Sequence, residues 1–296
     1  MRRIILLLLI STLAYAFLNI FTYTAIQHLS LNGYLLGLGI GALVSALVII
    51  RSGGMSFSRK GMRGLALELS GGAALALSSI GVYALYRSSS LAGGMPLLGA
   101  SVIVFLAIDF LFFSKEMRRK EAVYLVAGVL AVAVGIFVAQ SHGFVFNYSI
   151  LPILLFIMVS QGAGYYLFLY GARRESSGTR LLAFPVFIII TGIGSAALYS
   201  GPLLGGISAL PLASVIIGGM LLSLAVGFEV VAALPVKGAG RWGDIVGRNL
   251  ANGFTYMDIL VVLAWSVLLS SYTPQEILGG LIILGGVLAL NKISAK

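Results

Sequence analysis

The sequence of 296 residues contains no cysteine and only two histidines. The absence of cysteine excludes disulfides, thiolate metal sites and cysteine nucleophiles, and it leaves the redox compartment undetermined. The HExxH, P-loop, GxSxG and paired-acid DxxxD motifs are absent as well. Because the residues and motifs that metal binding and Ser-His catalysis usually require are missing, we expect no metal site, no cofactor and no enzyme activity.

Charged residues are scarce, at 9% of the chain, whereas ordinary soluble domains contain about 25%. Apolar side chains make up 59% of the residues, and the mean hydropathy is +1.07. A soluble domain of this size has too little interior to bury so much apolar surface, so we expect lipid to surround the chain. The net charge of +10 comes from basic residues dispersed between apolar runs, a pattern that predicts no nucleic-acid partner.

Ten apolar stretches are long enough to cross a bilayer, which takes about 20 helical residues. The first includes Ala14-Tyr15-Ala16 after a basic N-terminus, a combination that also occurs in cleaved signal peptides. We expect an uncleaved helix because the apolar run continues to Ile26. The predicted spans are 4–26, 31–50, 64–86, 91–113, 121–139, 149–171, 181–200, 212–234, 247–270 and 275–291.

The basic residues predict how these spans are oriented. The loop 114–121, with the sequence SKEMRRKE, joins the fourth and fifth spans and is predicted to be cytoplasmic. If both termini are cytoplasmic, 18 of the 19 lysines and arginines lie on the cytoplasmic side. Arg87 is the single basic residue that falls outside, where His28 and His142 also lie.

Five spans in each half predict that two similar halves lie upside down relative to each other. Gly128 and Gly135 in the fifth span have the same seven-residue spacing as Gly279 and Gly286 in the tenth. Glycine is common in membrane helices, so the spacing is weak support unless it is combined with the topology. The predicted fold class is an all-α polytopic membrane protein of ten transmembrane helices in a five-plus-five inverted-topology repeat, with repeats 1–141 and 142–296.

Several local motifs accompany this architecture. Pro96 lies in the fourth span, Glu116 follows it, and the stretch Thr273-Pro274-Gln275-Glu276-Ile277-Leu278-Gly279 leads into the last helix. With the glycine-spaced fifth span, these features resemble the drug/metabolite transporter superfamily in its EamA-type branch. The resemblance implies a multi-pass protein of the cell membrane that transports, and commonly exports, small solutes such as amino acids.

Ionisable groups in the middle of a membrane are costly, so each one needs a reason. Asp258 lies nearest the centre of its predicted span, the ninth. At 100° per residue it shares a helix face with Trp265, whereas Asn252 and Tyr256 lie on the opposite face. One of these faces is expected to line an aqueous cavity. Asp258 is then either a proton or cation site or a structural partner of a neighbouring Tyr or Asn.

Glu68 lies one turn inside the cytoplasmic end of the third span. Its helix face continues through polar and small side chains, namely Gly72, Ser79, Tyr83 and Tyr86. This stripe suggests a cavity wall, with Tyr83 as a substrate contact and the Glu68 carboxylate at the inner mouth. Alternatively, the positive end of the helix dipole accounts for Glu68 without any function.

The first and sixth spans correspond across the expected repeat, and both have polar side chains near mid-membrane. Tyr15 and Asn19 lie in the first span, and Gln161 lies in the sixth. The family resemblance implies that such spans line a central cavity, so these three residues are candidate substrate contacts. Interhelical hydrogen bonds, which Asn and Gln need in lipid, are the alternative.

We therefore expect a secondary active transporter that moves a small polar metabolite by alternating access, with a proton as candidate coupling ion. The first alternative is a transporter of organic cations or drugs, with Asp258 and Trp265 as a carboxylate–aromatic pair. The second is an intramembrane lipid-modifying enzyme that uses Asp109, Glu116 and Glu229. The alternative for Asp109 and Glu229, near cytoplasmic ends of their spans, is pairing with Lys115 and Lys237. For Glu116 the alternative is a loop position near the basic cluster.

Overall fold

The structure is a computed structural model, and it describes residues 2–52, 62–113, 119–142, 145–172, 177–198, 209–233, 257–269 and 272–294. In these ranges the chain forms eleven helices and one small hairpin. The first six helices are α1 (Arg2–Ile26), α2 (Leu31–Ser52), α3 (Met62–Ser88), α4 (Leu91–Leu98), α5 (Ser101–Phe113) and α6 (Arg119–Ala139). The antiparallel strands β1 (Ser141–His142) and β2 (Val145–Phe146) follow. The remaining helices are α7 (Ile150–Ala172), α8 (Ser177–Leu198), α9 (Ala209–Ala233), α10 (Asp258–Leu268) and α11 (Pro274–Ser294).

Eight helical segments in the described part of the chain are long and apolar enough to cross a membrane, with α4 and α5 together forming one of them. The apolar parts of α10 and α11 are shorter and lie at the positions of the ninth and tenth predicted spans. On α6, Val126, Leu130 and Phe137 point outward and are more than half exposed. Lipid covers such a face, whereas in water it would promote aggregation. The chain is therefore an all-helical polytopic membrane protein.

The fourth predicted span is broken between α4 and α5. Pro96 lies inside α4, where it has no N–H to donate to the Ala92 carbonyl, and α4 ends two residues after it, at Leu98. Gly99 N–H donates to the Pro96 carbonyl at 3.1 Å, and Ala100 N–H donates to the Leu97 carbonyl at 3.1 Å. Ser101 Oγ donates to the Leu98 carbonyl at 2.9 Å as α5 begins. The break therefore consists of tight i to i+3 turns whose backbone groups are satisfied within the chain.

The helices α6 and α11 pack closely through the two glycine pairs. Gly128 faces Gly286, and Gly135 faces Gly279. A Cβ atom added at Gly279 would lie 2.5 Å from the Ala139 backbone nitrogen. Small residues of this kind let two backbones approach directly, which is how membrane helices gain van der Waals energy without a hydrophobic driving force. The spacing seen in the sequence is thus the spacing of a helix interface.

The most extensive helix pairings all join the first half of the chain to the second. They are α6 with α11, α2 with α9, α3 with α7, α1 with α9, α2 with α8, α3 with α8, α5 with α7, α4 with α11, α1 with α10 and α4 with α10. Buried hydroxyls support them, because Ser11 Oγ donates to the Ala225 carbonyl at 3.1 Å and Ser223 Oγ donates to the Ala42 carbonyl at 2.7 Å. The two halves therefore interleave and share one core.

Candidate functional site

A buried polar network links α1 to α3. The Tyr86 hydroxyl donates to Asn19 Oδ1 at 2.7 Å, and Asn19 Nδ2 donates to the Tyr15 carbonyl at 2.9 Å. Tyr86, Asn19 and Tyr15 are all buried. An amide placed in a membrane interior needs partners for both of its ends, and Asn19 has them. The network is thus satisfied by protein groups and fixes the orientation of the Asn19 side chain.

Asp258 lies beside this network, in the first turn of α10, and is 6% exposed. It is close enough to Tyr86 for the two side chains to interact electrostatically. The next residue, Ile259, lies against Gly99 at the break between α4 and α5, since a Cβ there would be 3.4 Å from the Ile259 side chain. A buried carboxylate therefore lies where one helix begins and the neighbouring span is interrupted.

A cavity of about 410 Å³ lies at the end of the molecule where α1 and α3 end and α11 begins. We call this end the outer end, because the charge pattern predicts it to face outside, and we call the cavity the outer cavity. It is lined by Tyr23, Gln27, Tyr86, Arg87, Ser88, Ser89, Ser90, Ala139, Gln140, Asn147 and Glu276. Tyr86 belongs to both the cavity wall and the buried network, so this one residue contacts both.

Glu276 occupies a fixed position in the wall of the outer cavity. Its Oε2 accepts from the Thr273 backbone N–H at 2.7 Å, and its own N–H donates to Thr273 Oγ1 at 3.3 Å. This reciprocal pair is the capping box encoded by Thr-x-x-Glu, and it starts α11. Glu276 Oε1 accepts from Ser90 Oγ at 2.5 Å, and Ser90 caps α4 by accepting from the Gly93 N–H at 2.9 Å. One buried carboxylate therefore joins the beginnings of two helices from opposite halves of the chain.

Arg87 supplies the opposite charge in the same cavity. Its Nη1 donates to the Gln27 carbonyl at 3.1 Å, and Gln27 Nε2 donates to the Tyr86 carbonyl at 2.8 Å. The guanidinium is exposed, so it lies at the mouth of the cavity rather than at its base. Gln140 Nε2 donates to the Gly93 carbonyl at 3.1 Å on another side of the cavity.

Tyrosine rings form the boundary between the cavity and the core. Tyr23 meets Tyr86 edge to face, with ring centroids 5.7 Å apart, and Tyr23 is within electrostatic range of Glu276. Tyr34 lies against Tyr83 at 5.6 Å, and the Tyr83 hydroxyl donates to the Leu29 carbonyl at 2.9 Å. Aromatic pairs of this kind contribute about 0.5–1.5 kcal/mol beyond their buried area. Of these four rings, Tyr23 and Tyr86 belong to the cavity wall, and Tyr34 and Tyr83 pack behind it.

None of the described residues that the sequence predicted for the site lines the outer cavity. Tyr15, Asn19 and Asp258 lie at or beside the buried network of Tyr86, and Tyr83 lies against Tyr34. Trp265 lies two turns along α10 and packs against the core. Asn252 and Tyr256 lie outside the described residues, as do Glu116 and the side chains of Asp109 and Glu229. In the ninth predicted span, which contains α10, the structure therefore describes the neighbours of Asp258 but not those of Asn252 and Tyr256.

Two candidates lie elsewhere. Glu68 is fully buried near the other end of α3, on the face of Gly72, where a Cβ would be 3.1 Å from Ala183 of α8. Gln161 is on α7, next to Gly162, whose Cβ would be 2.7 Å from the Ser101 carbonyl oxygen at the start of α5. The Gln161 amide oxygen is buried and accepts no hydrogen bond from any described residue. Neither residue lines the outer cavity.

No residue of the cavity was selected from the sequence as a site residue, including the three that matter most for its charge and shape. Tyr86 was visible only as part of the stripe on α3, Arg87 only as the exception to the charge rule, and Glu276 only as part of the stretch before the last helix. A basic residue on the wrong side and a Thr-x-x-Glu capping box are both readable signals. Within the described ranges no three His, Cys, Asp or Glu side chains gather where they could hold a metal ion.

The arrangement defines a class of protein rather than a particular one: an all-helical polytopic membrane protein with a polar cavity at one end. No protein-family model and no curated protein matches the sequence. A solved structure whose description reads only "Crystal structure of protein" is similar in fold, with a TM-score of 0.57 and 13% sequence identity over 96% of this chain and 94% of that chain. At that identity the likeness shows a shared overall fold and nothing about activity.

Proposed function

We propose that this protein is a secondary active transporter of small polar metabolites such as amino acids, in the cell membrane, with the EamA-type drug/metabolite transporters as its relatives. The observation that carries the proposal is the outer cavity. In a chain with 9% charged residues, a carboxylate, a guanidinium and several amides surround one space of about 410 Å³. That volume lies in the range of about 300–1,000 Å³ typical of small-molecule sites.

The proposal includes ten spans in a five-plus-five inverted repeat, and the helix pairings support this. If the halves are exchanged, α1 corresponds to α7, α2 to α8, α3 to α9, the span of α4 and α5 to α10, and α6 to α11. The pairing of α1 with α9 then becomes that of α7 with α3, and the pairing of α1 with α10 becomes that of α7 with α5. The same exchange turns α2 with α9 into α3 with α8, and it leaves three pairings unchanged: α2 with α8, α6 with α11, and α4 with α10. Nine of the ten most extensive pairings map onto one another in this way, whereas the pairing of α4 with α11 has no comparable counterpart between α10 and α6 in the described ranges. A pseudo-two-fold axis would produce such a pattern, and five spans per half put that axis in the membrane plane.

Individual glycines follow the same exchange. Gly39 of α2 faces Ile189 of α8, and Gly192 of α8 faces Leu35 of α2. The two glycine pairs between α6 and α11 likewise exchange with each other, because Gly128 corresponds to Gly279 by position in the seven-residue pattern. Equivalent helices thus meet through equivalent small residues, which is what a duplicated five-helix unit predicts.

The proposed transport cycle uses both the outer cavity and the buried network. Substrate passes between the outer cavity and the buried network of Asp258, Tyr86 and Asn19 as the two interleaved halves rock about their shared axis. The break between α4 and α5 beside Asp258 gives a discontinuous span of the kind that transporters use at their binding sites. Asp258 is the candidate site for a coupling proton, since it is the buried carboxylate next to this network.

The organic-cation alternative has one observation in its favour. Tyr23 and Tyr86 form an aromatic pair close to the Glu276 carboxylate, a combination that suits a cation. Arg87 in the same cavity weighs against a ligand that has only positive charge. No described contact favours the lipid-modifying enzyme.

Transport by purified protein in liposomes tests the proposal. We expect counterflow of at least one neutral amino acid at a rate above that of protein-free liposomes. In Asp258→Asn we expect the flux of that amino acid to lose its dependence on a pH gradient. Leu260→Ala, an exposed neighbour on the same helix, is the matched control and should keep wild-type flux. Absence of flux for every amino acid and related small polar metabolite, with protein that remains folded, would contradict the proposed function.

A further inference from the structure

We propose that the outer cavity is a binding site for zwitterions, in which Arg87 receives a carboxylate and Glu276 receives an ammonium group. The inference names the substrate class of the proposed transporter and so rests on that function, although binding can be measured without transport. The ligand class is a small molecule with one carboxylate and one ammonium group, as in an α-amino acid.

The first argument is the pairing of charges. Arg87 and Glu276 line the same cavity, and among the described residues each of them hydrogen-bonds only to neutral groups. Two unneutralised opposite charges in one small space, next to a low-dielectric interior, attract a ligand of the complementary pattern. A ligand with a single charge would pair with one of the two side chains and leave the other without a counter-charge.

The second argument is that the Glu276 carboxylate is held in place with capacity to spare. Its two oxygens each accept one bond, from Ser90 and from Thr273. A carboxylate has about four acceptor positions, of which the described residues fill two, and an ammonium group has three donors. Because the capping box and Ser90 already fix the side chain, binding costs little additional rotamer entropy.

The third argument is the geometry of Arg87. Among the described residues, one of its five N–H donors is used, on the Gln27 carbonyl, and this bond anchors the guanidinium at the mouth of the cavity. The rest of the planar group is available for a two-point contact with a carboxylate. Arg87 is also the only basic residue predicted outside, so its charge is not explained by membrane topology.

The remaining wall suits the body of such a ligand. Gln27, Gln140 and Asn147 offer amide groups, and the partly exposed ring of Tyr23 offers an apolar surface. A structural latch between α4 and α11 is the competing explanation for Glu276, because its bond to Ser90 joins the two helices. The two explanations differ in what a change of charge does to ligand preference.

Calorimetric titration of the purified full chain in detergent tests this inference. The probes are a panel of neutral amino acids and, for each one that binds, its methyl ester and its N-acetyl derivative. The ester lacks the carboxylate, and the N-acetyl compound lacks the ammonium group. We expect wild-type protein to bind the free amino acid about tenfold or more tightly than either derivative, since a charge-assisted hydrogen bond contributes about 1.5–3 kcal/mol.

The variants give a crossed pattern that a latch cannot produce. Arg87→Gln should abolish the preference over the ester and keep the preference over the N-acetyl compound, and Glu276→Gln should do the reverse. Ser90→Ala breaks the latch and keeps both charges, so it should keep both preferences. Arg51→Gln, an exposed arginine at the other end of α2, is the matched control and should behave as wild type.

The outcomes separate this inference from the proposed function. Equal weakening of all three ligands in both variants, or no binding by any neutral amino acid, would overturn the zwitterion site. Flux that continues with unchanged charge preference in Arg87→Gln would also overturn it and leave the transporter standing. The crossed pattern without any flux would support the site and contradict the transporter.

Discussion

The Tyr86 hydroxyl donates a 2.7 Å hydrogen bond to the Asn19 side-chain oxygen, between residues that are 67 positions apart in the chain. Both side chains are buried, and the same tyrosine forms part of the outer cavity wall. This bond therefore connects the polar interior of the membrane region to the site that we propose for substrate.

Tyr86→Phe tests the contribution of this bond. The substitution keeps the ring and leaves Asn19 Oδ1 without the donor that it has in the wild type. We expect a loss of about 1 kcal/mol in the free energy of unfolding, because an unsatisfied buried acceptor is more costly than the bond is strong. Thermal unfolding in detergent is the measurement, and Tyr272→Phe, on an exposed tyrosine, is the control. Equal melting temperatures for the two variants would mean that another group satisfies Asn19.

Gly279→Ala tests the close approach of α6 and α11. Its new Cβ would lie 2.5 Å from the Ala139 backbone nitrogen, so the helices must separate. We expect destabilisation of about 1–3 kcal/mol, the usual cost of overpacking. Gly285→Ala on the same helix is a matched control, because nothing lies within 4 Å of its Cβ. That control should be neutral or slightly stabilising, since alanine is the better helix former. If both variants melt alike, the interface is not as tight as described.

Ser90→Ala removes two bonds at the start of α4, one from the Gly93 N–H and one to Glu276. Loss of an N-cap costs about 1 kcal/mol, so we expect a lower melting temperature. Ser90→Thr keeps the hydroxyl and should recover most of the loss. Ser214→Ala, on an exposed serine that bonds within its own helix, should change little and serves as the comparison. Failure of threonine to recover stability would assign the loss to packing instead of capping.

The orientation can be tested directly because the chain has no cysteine of its own. Single cysteines at Ser88 and Ser52 occupy exposed ends of α3 and α2. The charge pattern predicts that a membrane-impermeant maleimide labels Ser88→Cys on intact cells, and labels Ser52→Cys only after permeabilisation. Labelling of both from the same side would contradict the predicted topology and, with it, the outward position of the cavity.

The sequence predicted the helices of this protein well, for a simple physical reason. A backbone in lipid must satisfy its own hydrogen bonds, so an apolar stretch of sufficient length has helix as its only simple solution. The boundaries of α2 at Leu31 and α6 at Ala139 agree with the predicted spans to within a few residues. The fourth span was predicted as one helix over 91–113, and the structure instead divides it at Gly99 and Ala100.

None of the described residues that the sequence predicted for the site lines the outer cavity. Asn19 and Asp258 stood out because polar groups in lipid require an explanation, and the structure places both beside Tyr86. Glu68 stood out for the same reason but lies near the opposite end of α3, away from the cavity. Periodicity showed which residues share a helix face, and it contains no information about which neighbouring helix that face meets.

By itself the sequence determined the solvent, the helical class, the expected orientation and the residues small enough for close packing, because each of these follows from local composition in lipid. Only the tertiary structure decided that α1, α3, α4, α6 and α11 bring their ends together around one space, with Arg87 and Glu276 in its wall. These residues are 189 positions apart, and no local property of either one encodes their proximity. Their meeting depends on how the two halves interleave, which is a property of the packed molecule.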